Sequence, residues 1–407
     1  MSVRTLVTGL GVVAPNGLGV EQYWEAVLEG RSGIAPLTRF DVSAYPATLA
    51  GQVQDLLVED HLPSRLLPQT DVSTRFALIA AEWALGDAKV DPSTMTDYGM
   101  GVVTANACGG FEFTHREFRK LWTQGSKSVS VYESFAWFYA VNTGQISIRH
   151  GMRGPSSALV AEQAGGLDAI GHACRTIRRG TPLMVTGGVD SAFDPWGWAS
   201  QIASGGVSRS TDPHGAYLPF DRAASGYVPG EGGALLVLED AELAMARGLP
   251  EVYGEICGYA STFDPPPDSD RPPGLRRAAE LALSDAGLAP DDVDVVFADA
   301  AGRPDLDRAE AEAIRGLFGA RGVPVTAPKT LTGRLYSGGG PLDVVTALRT
   351  LTEGVIPPTH GPSDIPREYG LDLVVDEPRE GRPDTALILA RGRWGFNAAV
   401  VVRRFTG

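Results

Sequence analysis

Cysteine is scarce in this chain: three residues among 407, Cys108, Cys174 and Cys257, far apart and without metal-type spacing. That pattern offers neither a disulfide framework nor a cysteine zinc site, and free thiols filling core space are expected. Basic charge is also short, with 35 Lys and Arg against 49 Asp and Glu and a formal net charge of −14. A general nucleic-acid binder needs a basic footprint that this balance does not supply. No run of about eighteen apolar residues occurs, so no membrane partner is expected. The opening MSVRTLVTGLGVVAPNG lacks the charged-then-apolar layout of a cleaved signal, so a soluble, cytoplasmic protein is expected.

What is present is ordinary globular material, 43% hydrophobic, long enough for about two to three domain-sized units. RTLVTGLGVVAPNG reads as a buried strand entering a Gly/Pro turn, and VEQYWEAVLEG follows with helical spacing. Gly9, Gly11 and Ala14 match a dinucleotide fingerprint, but Pro15, Asn16 and Gly17 interrupt the point where a phosphate-binding helix should start. Nucleotide binding is therefore not expected. TRFALIAAEWALGDA is an amphipathic helix, while YGMGVVTANACGG and TPLMVTGGVDSA are glycine-bounded strands. The order strand, helix, strand returns in EVYGEICGYAS, RRAAELALSDAGL and DVDVVFADAAG. Alternation in both parts predicts an α/β fold with helices covering sheets and a loose duplication of two halves. The boundary falls near Pro250, giving halves 1–249 and 250–407, and the Pro-rich STFDPPPDSDRPPG reads as a loop excursion.

Five segments then carry a specific resemblance: RTLVTGLGVVAPNG, LEGRSGIAPLTRFD, LPFDRAASGYVPGEGGALLVLED, KTLTGRLYSGGGPLD and GFNAAVVVRRF. In this order, across nearly the whole chain, they resemble the β-ketoacyl synthases of the thiolase fold. The resemblance implies two duplicated halves in an α-β-α-β-α layered sandwich, working as dimers. It also implies a Cys nucleophile and two His residues that join an acyl chain to decarboxylated malonyl carried on acyl carrier protein.

None of the three catalytic residues is present. In SSALVAEQAGGLDAIGHACRTIRRG the nucleophile position is Gln163, whose carboxamide has no thiolate form and cannot carry an acyl chain. The first histidine position, in DVDVVFADAAGRPD, is Asp299, and the second, in KTLTGR, is Arg334. An arginine cannot shuttle protons near neutral pH, and an aspartate repels the enolate that two neutral histidines stabilise. Lys329 is retained, with Asp343 at the family's acidic position, and the two are expected to form a structural pair. The family's phenylalanine gate falls at about Arg393. Of the histidines, His172 reads as packing or surface, His214 as a loop residue, and His115 lies beside an aromatic stretch.

This combination resembles the chain-length factor, the ketosynthase beta subunit of type II aromatic polyketide synthases. The resemblance implies a heterodimer with a catalytic ketosynthase subunit, in which the silent subunit closes the polyketide tunnel at the interface and sets chain length. It further implies acyl carrier protein as a partner, delivering phosphopantetheine as its own arm, with no cofactor or metal bound by this chain. In GGFEFTHREFRKLW, helical spacing puts Phe111, Thr114, Phe118 and Trp122 on one face as a candidate tunnel wall, and Trp196 is a second candidate. The cluster Tyr132, Phe135, Trp137, Phe138 and Tyr139 is expected at the dimer core. Two other readings stand beside this one: a malonyl-carrier-protein decarboxylase supplying an acetyl starter through Gln163, and an independent ketosynthase with a non-standard nucleophile.

Overall fold

The computed structural model describes residues 3–249, 251–266 and 268–406, so the boundary placed at Pro250 lies outside the described residues. The principal strands in chain order are β1 (Thr5–Ala14), β2 (Met100–Ala105), β3 (Ser156–Leu159), β4 (Leu183–Asp190), β5 (Gly232–Asp240), β6 (Gly254–Phe263), β7 (Val295–Phe297), β8 (Pro324–Thr326), β9 (Asp372–Leu373), β10 (Thr385–Arg391) and β11 (Phe396–Arg403). The principal helices are α1 (Val20–Leu28), α2 (Val72–Asp87), α3 (Phe111–Gln124), α4 (Val141–His150), α5 (Gly165–Ile177), α6 (Pro195–Ala203), α7 (Leu275–Ala286), α8 (Pro304–Phe318) and α9 (Gly339–Glu353).

The pairing repeats itself. In the first half β1 runs antiparallel to β5 and β5 to β4, after which β4, β2 and β3 pair in parallel. In the second, β6 runs antiparallel to β11 and β11 to β10, after which β10, β7 and β8 pair in parallel, with β9 beyond. The halves join where Thr5, Leu6 and Val7 face Ile256, Glu255 and Gly254.

Strand alternation then builds the layers. On β5, Leu236 and Leu238 point inward to α5 and α9, while Leu235 and Val237 point outward to α2. On β10 and β11, Ile388 and Val400 face the same central helices, while Leu387 and Val401 face α7 and α8. One continuous sheet, its two halves packed on either side of the central helices, and three helical layers result, the sandwich expected from the resemblance. Among the described residues, no helix is long and apolar enough to cross a membrane. The loop excursion starts later than the sequence suggested, at Asp264, because Thr262 and Phe263 still pair with Asn397 and Phe396.

Gly9 and Gly11 have a packing role. A Cβ on Gly9 would sit 2.2 Å from the Ala84 carbonyl oxygen, and one on Gly11 1.9 Å from that of Ala80, so α2 lies directly on β1. Gly258 does the same for α7 in the second half, 2.2 Å from the Ala282 oxygen. Replacing Gly11 with Ala is expected to cost about 1–3 kcal/mol through overpacking, read as a lower urea midpoint. An unchanged midpoint would refute this packing role.

Candidate functional site

The strand β3 ends at Leu159, and the backbone turns into α5 through Glu162, held at a left-handed φ of 49°. This turn places Gln163 ahead of the helix, 1% exposed. Its carboxamide lies against the backbone of Gly339, where a Cβ would come within 2.3 Å of Nε2. Among the described residues, that Nε2 has no hydrogen-bond partner. The neighbouring Glu162 carboxylate accepts N–H groups from Gln163 at 3.1 Å and Arg393 at 2.7 Å. Burial pushes its carboxyl above the usual range, against the pull of Arg334.

Asp299 and Arg334 find each other. The guanidinium donates to both carboxylate oxygens at 3.0 and 3.1 Å and to the Asp299 carbonyl at 2.8 Å, with Asp299 1% and Arg334 7% exposed. The Arg391 N–H adds a third donor to the carboxylate at 2.8 Å. Burial opposes ionisation of Asp299, but Arg334 and Lys329 outweigh it and hold the carboxyl below its ordinary range. Beneath this pair, Glu310 accepts the N–H groups of Asp299 and Ala300, while Asp307 accepts those of Phe220 and Gly302. Burial pushes both acids up to about 7, and the charge of Asp299 adds to the effect.

Lys329 and Asp343 form the expected pair at 2.7 Å, each side chain 4% exposed, and Lys329 also donates to the Asp299 carbonyl at 3.2 Å. A cavity of about 290 Å³ opens beside this centre, lined among others by Glu162, Tyr227, Asp299, Arg334, Arg391 and Arg393. Gln163 is not part of its lining. Arg393, among the lining residues, donates to the Ser204 carbonyl at 2.9 Å.

The thiols stay protonated. Burial and Asp190 hold Cys108 well above its ordinary pKa, and burial pushes Cys174 and Cys257 up to about 12. Such groups supply little thiolate near neutral pH. Among the described residues, no cluster of three or more His, Cys, Asp or Glu is placed to hold a metal.

The aromatic face of α3 turns away from the core. Phe113, Thr114 and Glu117 are buried, whereas Phe111 and Phe118 are half-buried and Trp122 is 74% exposed. Trp196, on α6, joins the same patch: its ring lies 4.8 Å from Phe111 and 6.4 Å from Phe118, and Phe118 lies 5.5 Å from Trp122. A tilted aromatic surface is thereby left open at the edge of a single chain, with Thr114 at its inner margin. The helix starts where it does because Asp71, which caps α2, also accepts the Phe113 N–H at 2.9 Å. In the second aromatic cluster, Trp137, Phe138 and Tyr139 are all exposed. The sequence reading missed Glu162, Glu310 and the pairing of Asp299 with Arg334. The only signal for the pairing was the opposite charge of two substituted positions.

Two outcomes follow from this centre. Lys329→Met is expected to destabilise the fold by about 3–5 kcal/mol by stranding Asp343, and Lys329→Met with Asp343→Leu to recover part of it, measured by urea unfolding. A full-strength fold with Lys329→Met alone would refute the pair's role. Asp307 has a folded pKa raised to about 7 from 3.8, so the proton it holds stabilises the fold. Its contribution is complete below pH 3.8 and lost as pH rises through about 7. Asp307→Asn should therefore flatten the decline in stability between pH 4 and about 7 in thermal melts, and a slope equal to the parent's would contradict this.

The Beta-ketoacyl synthase N-terminal domain model matches residues 4–244, and the Beta-ketoacyl synthase C-terminal domain model matches residues 253–362. The chain is 74% identical to an actinorhodin polyketide protein of Streptomyces coelicolor named as a beta-ketoacyl synthase 2, over 99% of both chains. It is 59% identical to the tetracenomycin polyketide synthase ketoacyl synthase beta subunit of Streptomyces glaucescens, over 98% of each. Among solved structures, one of a type II PKS acyl-carrier protein in complex with its ketosynthase bound to the hexaketide superposes with a TM-score of 0.89 at 26% identity, covering both chains fully. The layered fold and these matches agree that the chain belongs to the beta-ketoacyl synthase family.

Proposed function

We propose that this chain is the non-condensing subunit of a type II polyketide synthase. In this reading it pairs with an active ketosynthase, completes the polyketide tunnel at their interface and sets chain length in aromatic polyketide biosynthesis. The observation that carries it is the Asp299–Arg334 ion pair, at the two positions where the resemblance puts the catalytic histidines, so that neither position holds a neutral imidazole. Condensation needs a thiolate and two neutral donors, and a carboxamide together with a guanidinium tied to a carboxylate supplies neither. The beta-subunit name of the tetracenomycin relative and the open aromatic face of α3 support the pairing.

Phe111, Thr114, Phe118 and Trp196 then form this subunit's share of the tunnel wall, and the exposed Trp137, Phe138 and Tyr139 meet the partner. Acyl carrier protein delivers the growing chain on its phosphopantetheine arm, as a visiting group and not a resident cofactor. The complex works in the cytoplasm, and the two halves of this chain divide at 249/250.

The decarboxylase reading has one observation in its favour, the free Gln163 Nε2, which could donate to a thioester carbonyl. Against it, Gln163 is 1% exposed and does not line the neighbouring cavity. Gln163→Ala, assembled with its partner, is expected to prime from malonyl units as the parent does, and a loss of priming would establish the decarboxylase reading instead. The chain-length role is tested by product sizing of the reconstituted pair. Phe111→Ala and Phe118→Ala should each add at least one two-carbon unit to part of the product, and unchanged lengths in both would overturn the role.

A further inference from the structure

Helix α3 carries Phe111, His115 and Phe118 at i, i+4 and i+7, so the imidazole rises between the two phenylalanines. Opposite it, α6 begins at Asp194. One carboxylate oxygen of Asp194 caps that helix by accepting the Gly197 N–H at 2.7 Å. The other meets His115 Nδ1 at 2.5 Å, with the Asp194 side chain 4% exposed and that of His115 32%. Trp196 stands two residues further along, with Phe111 and Phe118 against its ring.

Each helix has its own anchors apart from this contact. The indole of Trp198, fully buried on α6, donates to the Ala47 carbonyl at 3.1 Å, and Gln201 donates to the Ala192 carbonyl at 3.2 Å. At the other helix, Asp71 holds the first turn and Glu117 accepts the Ser130 N–H at 2.8 Å. Among the described residues, no other side-chain hydrogen bond or ion pair joins α3 to α6. Aromatic contacts by themselves are tolerant of sliding, because dispersion changes little with a small lateral shift. A polar contact of 2.5 Å to a buried carboxylate is not, since opening it takes from the Asp194 oxygen the imidazole that offsets its burial.

We propose that His115 is a positioning residue for product length: its bond to Asp194 fixes Trp196 against Phe111 and Phe118 and so fixes where the tunnel wall stands. The inference rests on the chain-length reading above. Without the bond, α6 can shift relative to α3, the gap between Trp196 and the phenylalanines varies, and the site where a growing chain is stopped loses definition.

The test is product sizing of the reconstituted heterodimer with five subunit variants. His115→Ala removes the bond. Asp194→Ser keeps a capping oxygen on α6 but is too short to reach His115, and so carries the test even if His115→Ala does not assemble. His115→Asn places a donor where Nδ1 stood and should restore parental product lengths, which a general packing role would not predict. Loss of the contact is expected to raise the ratio of off-length to parental product by about five- to ten-fold, the scale of one ordinary side-chain polar interaction. Combining His115→Ala with Asp194→Ser should add nothing further, because both remove one interaction. Parental lengths from His115→Ala and Asp194→Ser, alongside lengthening by Phe111→Ala, would overturn the latch and leave the tunnel reading intact. Parental lengths from all three would overturn both.

Discussion

A guanidinium and a carboxylate shut away from solvent hold three segments of this molecule together at its centre. Asp299 follows β7, Arg334 sits in the loop ahead of α9, and the Arg391 N–H at the end of β10 completes the carboxylate's coordination. Burying two charges costs several kcal/mol per ion, and only close, multiply bonded geometry offsets it. Here both carboxylate oxygens are engaged, and the guanidinium also donates to the carbonyls of Asp299 and Arg391. Glu310 and Asp307 then fasten the loop beneath through four backbone N–H groups, and Lys329 ties the Asp299 carbonyl to Asp343. The network is a brace, and its rigidity comes at the expense of the flexible protonation that catalysis would need.

In the non-condensing reading, that brace lets Asp299 and Arg334 stand in place of two histidines without collapse of the fold around them. Two cationic residues, Lys329 and Arg334, face two buried carboxylates, Asp299 and Asp343, so the charges match inside a space where mismatch would be severe. The consequence for Gln163 is isolation. Its carboxamide packs on Gly339 and stays out of the cavity that Glu162, Arg334 and Arg393 enclose. Elsewhere in the first half, α3 and α6 hold half-buried and exposed rings that a single chain does not cover. Large exposed aromatic groups of this kind mark contact surfaces, because water is a poor neighbour for them.

Much of this was legible from residues. The strand and helix alternation and the family segments depend on local pattern, and local pattern survives in a linear string. Asp299 and Arg334 were each recognised, yet their mutual bond was not, since 35 residues separate them and no periodicity relates them. Helical spacing grouped Phe111, Phe118 and Trp122 correctly, but it could not say that this stripe faces outward while Phe113 and Glu117 face in. Burial depends on what packs against a helix, and spacing reports only which residues share a side. The same limit hid the bond between His115 and Asp194, which are 79 positions apart in the chain. Gly9 and Gly11 show the converse, a motif-like string whose structural cause is the approach of one helix backbone.

The central claim is that this chain takes no covalent part in the condensation and acts through shape. Intact-protein mass spectrometry of the reconstituted heterodimer, quenched during turnover with malonyl-loaded carrier protein, tests it most directly. The account predicts acyl adducts on the ketosynthase partner and an unmodified mass for this subunit. An acyl adduct on this chain, at any residue, would contradict it.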